Sequence, residues 1–454
     1  MRQRPVEQDK IKRRSNFDAV EENLTAEQVK IEANRCLNCK NPRCVKGCPV
    51  NIQIPDFIKA LKEDNLEQAG EIIRQTSMLP SVCGRVCPQE RQCEGNCVLG
   101  IKGEAIAIGA LERYVGDNTT AKKVEIVPTG KKVAIIGSGC AGITAAADLR
   151  KAGHDVTIFE ALHKFGGVLR YGIPPFRLPR KVLDREITNL KEMGVKFEKN
   201  VIVGKSITLK QLQEDGFDAI FICSGAGLPK MMNIAGENLN GVFSANEFLT
   251  RVNLMGANEE GNATPLKVGH SVAVIGGGNV AMDAARTAVR VGFEKVYIVY
   301  RRTEAELPAR LEEIRHAKEE GVNFVFLHAP AEILGKDGYV SGMKFEIMEL
   351  GEPDESGRRS PIGTGRFTVI DVDTVIVALG TGPNPIIQKS ASADGLNFET
   401  DRRGYFVVNE ETRETSIPTI FAGGDVAPVG ASNAINAMGA GKKAAKAINE
   451  YLQN

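Results

Sequence analysis

Val133-Ala-Ile-Ile-Gly137-Ser-Gly139-Cys-Ala-Gly142 decides the fold of this chain. The apolar run Val133 to Ile136 reads as a strand of a parallel sheet, which is covered on both faces and has no polar side. The glycines lead into an Ala-rich stretch that reads as a helix, and Val156 to Phe159 reads as the next strand. In such a strand–turn–helix, Gly137 allows the tight turn, Gly139 lets backbone approach a pyrophosphate, and Gly142 allows helix to pack closely on strand. Free N–H groups at the helix start, around Ala141, then face phosphate oxygens. Glu160 ends the next strand, 23 residues after Gly137, where a carboxylate accepts from a ribose hydroxyl. The expectation is a dinucleotide site; the plainer alternative is a Gly-rich structural turn.

The same grammar returns about 140 residues later. Val272 to Ile275 is followed by Gly276-Gly277-Gly278-Asn279-Val280-Ala281, an Ala-rich helix and the strand Val296 to Tyr300. Alanine in place of the third glycine is allowed by the motif. At the strand end, where the first unit has Glu160, the second has Arg301-Arg302. A carboxylate would repel a 2′-phosphate, whereas guanidinium pairs with it, so NADP is expected over NAD. The alternative is a pair of surface arginines.

After about Leu379 the sequence again resembles the neighbourhood of the first unit, so the second unit reads as an insertion in the first. Thr419 to Ala422 is an apolar run ending in Gly423-Gly424-Asp425. An Asp on such a loop suits the ribityl hydroxyls of a flavin, and the stretch Gly430 to Ala447 reads as a helix whose N-terminal dipole faces the isoalloxazine. Two such cradles in one chain fit a flavin, FAD, facing a nicotinamide, NADP(H). Gly256 to Gly269 reads as a linker and Gly351 to Gly365 as a polar loop in a hairpin connection.

At 454 residues the chain has room for about three domains. A formal net charge of +1 gives no field for steering nucleic acid or an anionic membrane. No apolar run approaches the ~20 residues of a membrane span. Met1 to Arg14 is charged and lacks an apolar signal core, so a cytoplasmic protein is expected. Eight of the ten cysteines lie between Cys36 and Cys97. They form Cys36-x2-Cys39-x4-Cys44-x3-Cys48-Pro49 and Cys83-x3-Cys87-Pro88-x5-Cys93-x3-Cys97. A proline after the last cysteine of a run is a ferredoxin feature, and in ferredoxins the fourth cysteine serves the other cluster. Two iron–sulfur clusters are expected; the alternative, zinc, would be held by cysteine alone, since every histidine lies outside the region. Arg35, Lys40, Arg43 and Lys46 either offset cluster charge or are solvated side chains. Cys140 and Cys223 have no cysteine at two-residue spacing and read as buried packing residues, which disfavours a dithiol reductase.

Further stretches carry a family likeness: Cys36 to Pro49, Val82 to Pro88, Ala107 to Glu112, Gly166 to Pro174, Gly276 to Arg286, Arg301-Arg302 and Ala422 to Asp425. By these the chain resembles, over almost its whole length, the small (beta) subunit family of NADPH-dependent glutamate synthase. Relatives are the large subunit of NADH-dependent reduced ferredoxin:NADP oxidoreductase and the N-terminal part of dihydropyrimidine dehydrogenase. The resemblance implies one [4Fe–4S] cluster on Cys36, Cys39, Cys44 and Cys97. It implies a second on Cys48, Cys87, Cys93 and a non-cysteine ligand at Glu112, where the pyrimidine enzyme carries an amide. Spacing alone makes Glu112 a helix-surface charge. The same resemblance leaves Cys83 as a bystander and implies that the loop Gly166 to Arg170, with Gly167, contacts the flavin.

The implied architecture is α/β. A helical domain with two [4Fe–4S] clusters (1–128) precedes two Rossmann-like domains, one for FAD (129–262 and 379–454) and one for NADP (263–378). The implied activity carries electrons from NADPH to FAD, to the clusters, and on to a partner. Hydride transfer requires no acid or base, so no catalytic side chain is expected. Position 2 is Arg, so there is no N-terminal cysteine nucleophile, and no barrel-sized segment is left for a substrate. The expected partner in a hetero-oligomer is the large catalytic subunit of glutamate synthase, or else a ferredoxin or flavin electron-transfer subunit. The competing functions are the large subunit of the electron-bifurcating ferredoxin-linked enzyme and a non-enzymatic zinc and nucleotide-binding scaffold.

Overall fold

Alternation along Val133 to Ile136 sets the first sheet. Val133 and Ile135 enter a core shared with the helices Cys140–Lys151 and Ala434–Gln453, while Ala134 and Ile136 enter a second core on the opposite face. In a computed structural model that describes residues 1–122, 124–353, 355, 357–429 and 432–453, this segment is the central strand Lys132–Ile136 of an all-parallel five-stranded sheet. The order is Ile420–Ala422, Ala219–Ile222, Lys132–Ile136, Asp155–Glu160, Lys196–Lys199.

The second sheet repeats this pattern: Val242–Ser244, Thr374–Val377, Ser271–Ile275, Lys295–Tyr300, Asn323–Phe326, again all parallel. Val272 and Val274 face the helix Asn279–Val291, and Ala273 and Ile275 face a three-stranded antiparallel sheet through Met343 and Phe345. The α/β class and the inserted repeat thus hold.

Two expectations are corrected. The strand Val242–Ser244 and the helix Ala245–Asn253 fall before the expected boundary at 262, yet they belong to the second sheet and its core through Phe248 and Leu249. The chain enters the second unit ahead of the linker. The segment expected to be a polar loop from Gly351 to Gly365 is largely ladder. Tyr339–Pro353 and Arg359–Ile370 pair antiparallel, with Met348 opposite Gly363 and Leu350 opposite Pro361. Backbone pairing leaves the exposed side chains free to be polar, which hid the strands. The helix expected from Gly430 is described from Ala434 to Gln453; Gly430 itself lies outside the described residues.

The N-terminal part is helical. Thr25 and Gln28 close the expected capping box, with the Gln28 N–H donating to Thr25 Oγ1 at 3.2 Å and the Thr25 N–H to Gln28 Oε1 at 2.9 Å. The helices Ala26–Asn34, Ile54–Lys62, Leu66–Arg74 and Ile108–Asn118 enclose Phe57, Ile58, Ile73, Leu111 and Val115. This part is tied to the second unit by arginines. Arg310 donates to Arg85 O and Gln89 Oε1 at 2.8 and 2.7 Å, and Arg91 donates to the carbonyls of Leu307, Pro308 and Ala309.

Candidate functional site: two nucleotide cradles and two cysteine cavities

The first cradle is built by sterics. Gly137 has φ of +114°, and a Cβ there would lie 2.6 Å from Cys223 O. A Cβ on Gly142 would lie 2.0 Å from Gly137 O, so only glycine lets the helix start this close to the strand. A Cβ on Gly139 would meet nothing within 4 Å. The backbone there faces open space, which suits close approach of a pyrophosphate. Glu160 is buried, and its carboxylate accepts from Ser138 N at 3.1 Å and Leu162 N at 2.9 Å. Ser138, a free position of the motif, also donates its hydroxyl to Glu160 and accepts from Gly166 N at 2.8 Å. It therefore couples acid, motif and loop, a role that motif spacing does not show.

The other expected residues converge here. Gly167 (φ +52°) would place a Cβ 3.1 Å from Gly139 Cα, and Gly424 (φ +72°) would place one 3.2 Å from Ala141 Cβ. Arg170 is nearly buried and spends its guanidinium on Phe165 O, at 2.8 Å, and on Asp184. Asp425 is raised from its ordinary value by burial, against a hydrogen bond with Ser432. Cys140 and Cys223 are buried free thiols, and burial pushes Cys140 up to about 12.

The second cradle repeats the geometry. Gly276 has φ of +144°, with a hypothetical Cβ 2.5 Å from Ala378 O. Gly277 packs under Leu307 and Tyr300, and Gly278 opens onto free space. Asn279 and Val280 open the helix Asn279–Val291, and Asn279 Oδ1 accepts from Arg310 N at 2.9 Å. The two arginines at the strand end differ. Arg301 is exposed, while Arg302 is buried with its Nε donating to Arg359 O at 2.6 Å.

The cysteines separate into two cavities. One is lined by Cys36, Cys39, Cys44 and Cys97. The other is lined by Cys48, Cys87, Cys93 and Glu112, and also by Cys83. Ile54 and Ile108 form part of both linings. Glu112, which spacing alone would put at the surface, is buried; burial raises its carboxyl to about 8, and Oε1 has no hydrogen-bond partner among the described residues. An unpaired buried carboxylate oxygen is costly unless a cation meets it. Burial likewise pushes Cys44 and Cys48 up to about 11. Such thiols are poor nucleophiles, but a metal deprotonates them outright. Cys83 is fully buried, donates to Met438 Sδ at 3.5 Å and lies beside Ser77 Oγ. Gln89, missed by the sequence reading, lines this cavity and donates to the carbonyls of Cys83 and Gly84.

Comparison with known proteins finds an iron–sulfur domain followed by an oxidoreductase domain. Residues 13–124 match the family model described as dihydropyrimidine dehydrogenase domain II, 4Fe-4S cluster, and residues 131–441 match pyridine nucleotide-disulphide oxidoreductase. The glutamate synthase [NADPH] small chain of Escherichia coli (strain K12) is 37% identical over 454 residues, covering 97% of this chain and 95% of that one. The chain belongs to this family. The NADP(+)-dependent formate dehydrogenase subunit beta of Moorella thermoacetica is 39% identical over 441 residues, 90% of this chain. This chain spans 60% of that relative's length. In fold it resembles FprA of Mycobacterium tuberculosis, solved in complex with NADPH, at 23% identity and a TM-score of 0.58, covering 72% of this chain and 86% of that one. It also resembles Lactococcus lactis thioredoxin reductase, at 24% and 0.54, covering 71% and 99%.

Proposed function

We propose that this chain takes hydride from NADPH onto FAD and passes the electrons singly through two [4Fe–4S] clusters to a partner, the large subunit of a glutamate synthase. The observation that carries this reading is the sorting of the cysteines. Four line one cavity, and the other four, Cys83 among them, line a second together with Glu112; the wall of the second includes Ile435 of the helix that follows Asp425. In this reading Gly137, Gly139, Ala141 and Gly142 present backbone to the FAD pyrophosphate, Glu160 holds a ribose hydroxyl, and Gly167, Gly424 and Asp425 border the flavin. Arg170, tied to Asp184, fixes the loop that carries Gly167. Gly276, Gly277, Gly278, Asn279 and Val280 form the NADPH cradle, and Arg301 meets the 2′-phosphate, with Arg302 bracing the strand end. Cys36, Cys39, Cys44 and Cys97 hold one cluster; Cys48, Cys87, Cys93 and Glu112 hold the other. No helix among the described residues is long and apolar enough to cross a membrane, and we place the chain in the cytoplasm, where thiols stay free for iron.

The test is analysis of anaerobically purified protein for iron, sulfide and flavin, with NADPH added while the visible absorption is followed. Bleaching of both chromophores supports the reading, and mixing with a glutamate synthase large subunit then yields glutamate from 2-oxoglutarate and glutamine. A colourless zinc protein overturns it in favour of the scaffold. The likeness to the Moorella subunit favours a second reading in which the same electron input serves another partner. A pull-down identifies that partner; a co-purifying flavin subunit that reacts with NADH points to the bifurcating enzyme.

Two variants probe the cradles. Arg301→Ala is expected to raise the KM for NADPH about 10- to 100-fold, the worth of one charge-assisted contact, and to change the KM for NADH less than about twofold. Steady-state kinetics with both nucleotides checks this, and equal losses refute the 2′-phosphate assignment. Gly142→Val forces a side chain into Gly137 O, and its flavin content is expected to fall below roughly a tenth of the wild-type value. The purified variant's absorption at the flavin band measures it.

A further inference from the structure

Of the two cysteine cavities, one faces inward and the other outward. Cys48, Cys83, Cys87 and Cys93 are buried, and Cys87 shares a core with Cys140, Ala141 and Met438 of the first cradle. Cys36, Cys39, Cys44 and Cys97 are all partly exposed. Leu37, which lines this outer cavity, is 62% exposed, and Ile101, four residues after Cys97, is 68% exposed. Exposed Lys40, Arg43, Lys46 and Lys102 each lie within five residues of one of the four cysteines, and Arg43 lines the cavity. No aspartate or glutamate occurs in residues 33–55 or 95–103, the two segments that supply all four cysteines. The exposed acids that adjoin these segments are Asp56, on the helix whose Ile54 and Pro55 line the cavity, and Glu104; Glu32, which adjoins the first segment, is buried against Arg35. Two exposed acids against four exposed cations leave these segments positive.

We propose that this surface is the electron exit, and that it docks an acidic, apolar-centred face of an electron-accepting protein. The inference rests on the proposed function and adds the place and chemistry of the hand-over. Transient redox contacts are small, and a ring of charge around an apolar centre suits them. The charges bring the partner in quickly and orient it, and the exposed Leu37 and Ile101 give the docked pair a dry centre. A salt-sensitive interaction follows, because rim charges are screened over about 8–10 Å at physiological salt.

The experiment uses the full-length holoenzyme with an acidic plant-type ferredoxin as the probe, immobilised on a column. Wild type is expected to be retained at low salt and released by salt. The variant Lys40→Glu/Lys46→Glu/Lys102→Glu is expected to flow through, with NADPH bleaching of its flavin and clusters unchanged. In solution the wild type is expected to reduce the acidic ferredoxin at least tenfold faster than it reduces basic cytochrome c at low salt, and the variant to reverse that order. Wild type that is not retained, a variant retained equally, or no preference for the acidic protein each overturns the proposal. If the cations act only to offset cluster charge, the variant shifts the cluster potentials while retention persists, which also overturns it. Loss of NADPH bleaching in the wild type instead defeats the proposed function, and the two failures are thereby distinguished.

Discussion

Arg286→Met is expected to lower the unfolding free energy by about 3–5 kcal/mol, the cost of removing one partner from a buried ion network. Arg286 has no exposed surface. Its Nε and Nη2 donate to the two oxygens of Glu320 at 3.0 and 2.8 Å, and its Nη1 donates to Glu313. Glu320 also accepts from Arg290 at 2.6 Å and from Arg13 of the N-terminal segment at 3.0 Å. Arg177, from the first unit, pairs with Asp283 at 2.7 Å on the same helix as Arg286. The guanidinium of Arg286 stands 4.6 Å from the ring of Phe176. The network therefore joins the N-terminal segment and both nucleotide units. Methionine keeps the length of the stem and removes only charge and donors, leaving Glu313 and Glu320 partly unpaired in a dry interior. Urea unfolding at neutral pH measures the loss, and a change below about 1 kcal/mol would show that the network contributes little.

The same network sets a pH dependence. Burial alone would raise the Glu320 carboxyl, but hydrogen bonds from Arg290 and Arg286 and their charges bring it down to about 2 from an ordinary 4.5. A carboxyl depressed on folding stabilises the protein above its unfolded value, and that contribution is lost as pH falls through the folded value. Wild-type stability thus declines from about pH 4.5 toward pH 2, and the decline is shallower in Arg286→Met, whose Glu320 has lost two of its donors.

What was legible in the sequence was what backbone sterics dictate. Gly137, Gly142 and Gly276 are forced by the close approach of a carbonyl, so the motif and its helix could be read directly. The paired sheets followed from the repeat. The strand Val242–Ser244 was not legible, because three residues carry no period and its partner lies more than a hundred residues on. Arg301 and Arg302 read alike in sequence, yet strand alternation buries one and exposes the other. Cysteine spacing indicated metal but not the partition, since Cys97 joins Cys36 across most of the helical part. Glu112 was invisible to spacing because Leu111 and Arg113, its helix neighbours, are buried as well, and a helix covered on several sides has no polar stripe to betray a ligand.

Glu112→Ala is expected to abolish one cluster, removing roughly four iron atoms per chain, and to slow NADPH-driven reduction of an acidic ferredoxin more than about 100-fold. Five donors, Cys48, Cys83, Cys87, Cys93 and Glu112, line the inner cavity, and a [4Fe–4S] cluster takes four. The structure distinguishes the candidates by their existing partners. Cys83 is engaged with Met438 Sδ at 3.5 Å, packed where the first cradle's core meets the helical part. Glu112 Oε1 is buried with no partner among the described residues, the condition that a bound cation relieves. Cys83→Ser should therefore retain the wild-type iron content, and Glu112→Cys should restore a cluster of altered potential where Glu112→Ala loses it. Iron and sulfide analysis with electron paramagnetic resonance of the dithionite-reduced proteins decides between the two residues. If Cys83→Ser loses the iron and Glu112→Ala keeps it, the fourth ligand is the thiol, and the raised Glu112 carboxyl is a neutral group buried beside the cluster. Glu112 belongs to the helical part, and serine keeps the size of Cys83 within the core it shares with the first cradle, so ferricyanide reduction by NADPH should persist in both variants and separate loss of a cluster from loss of the fold.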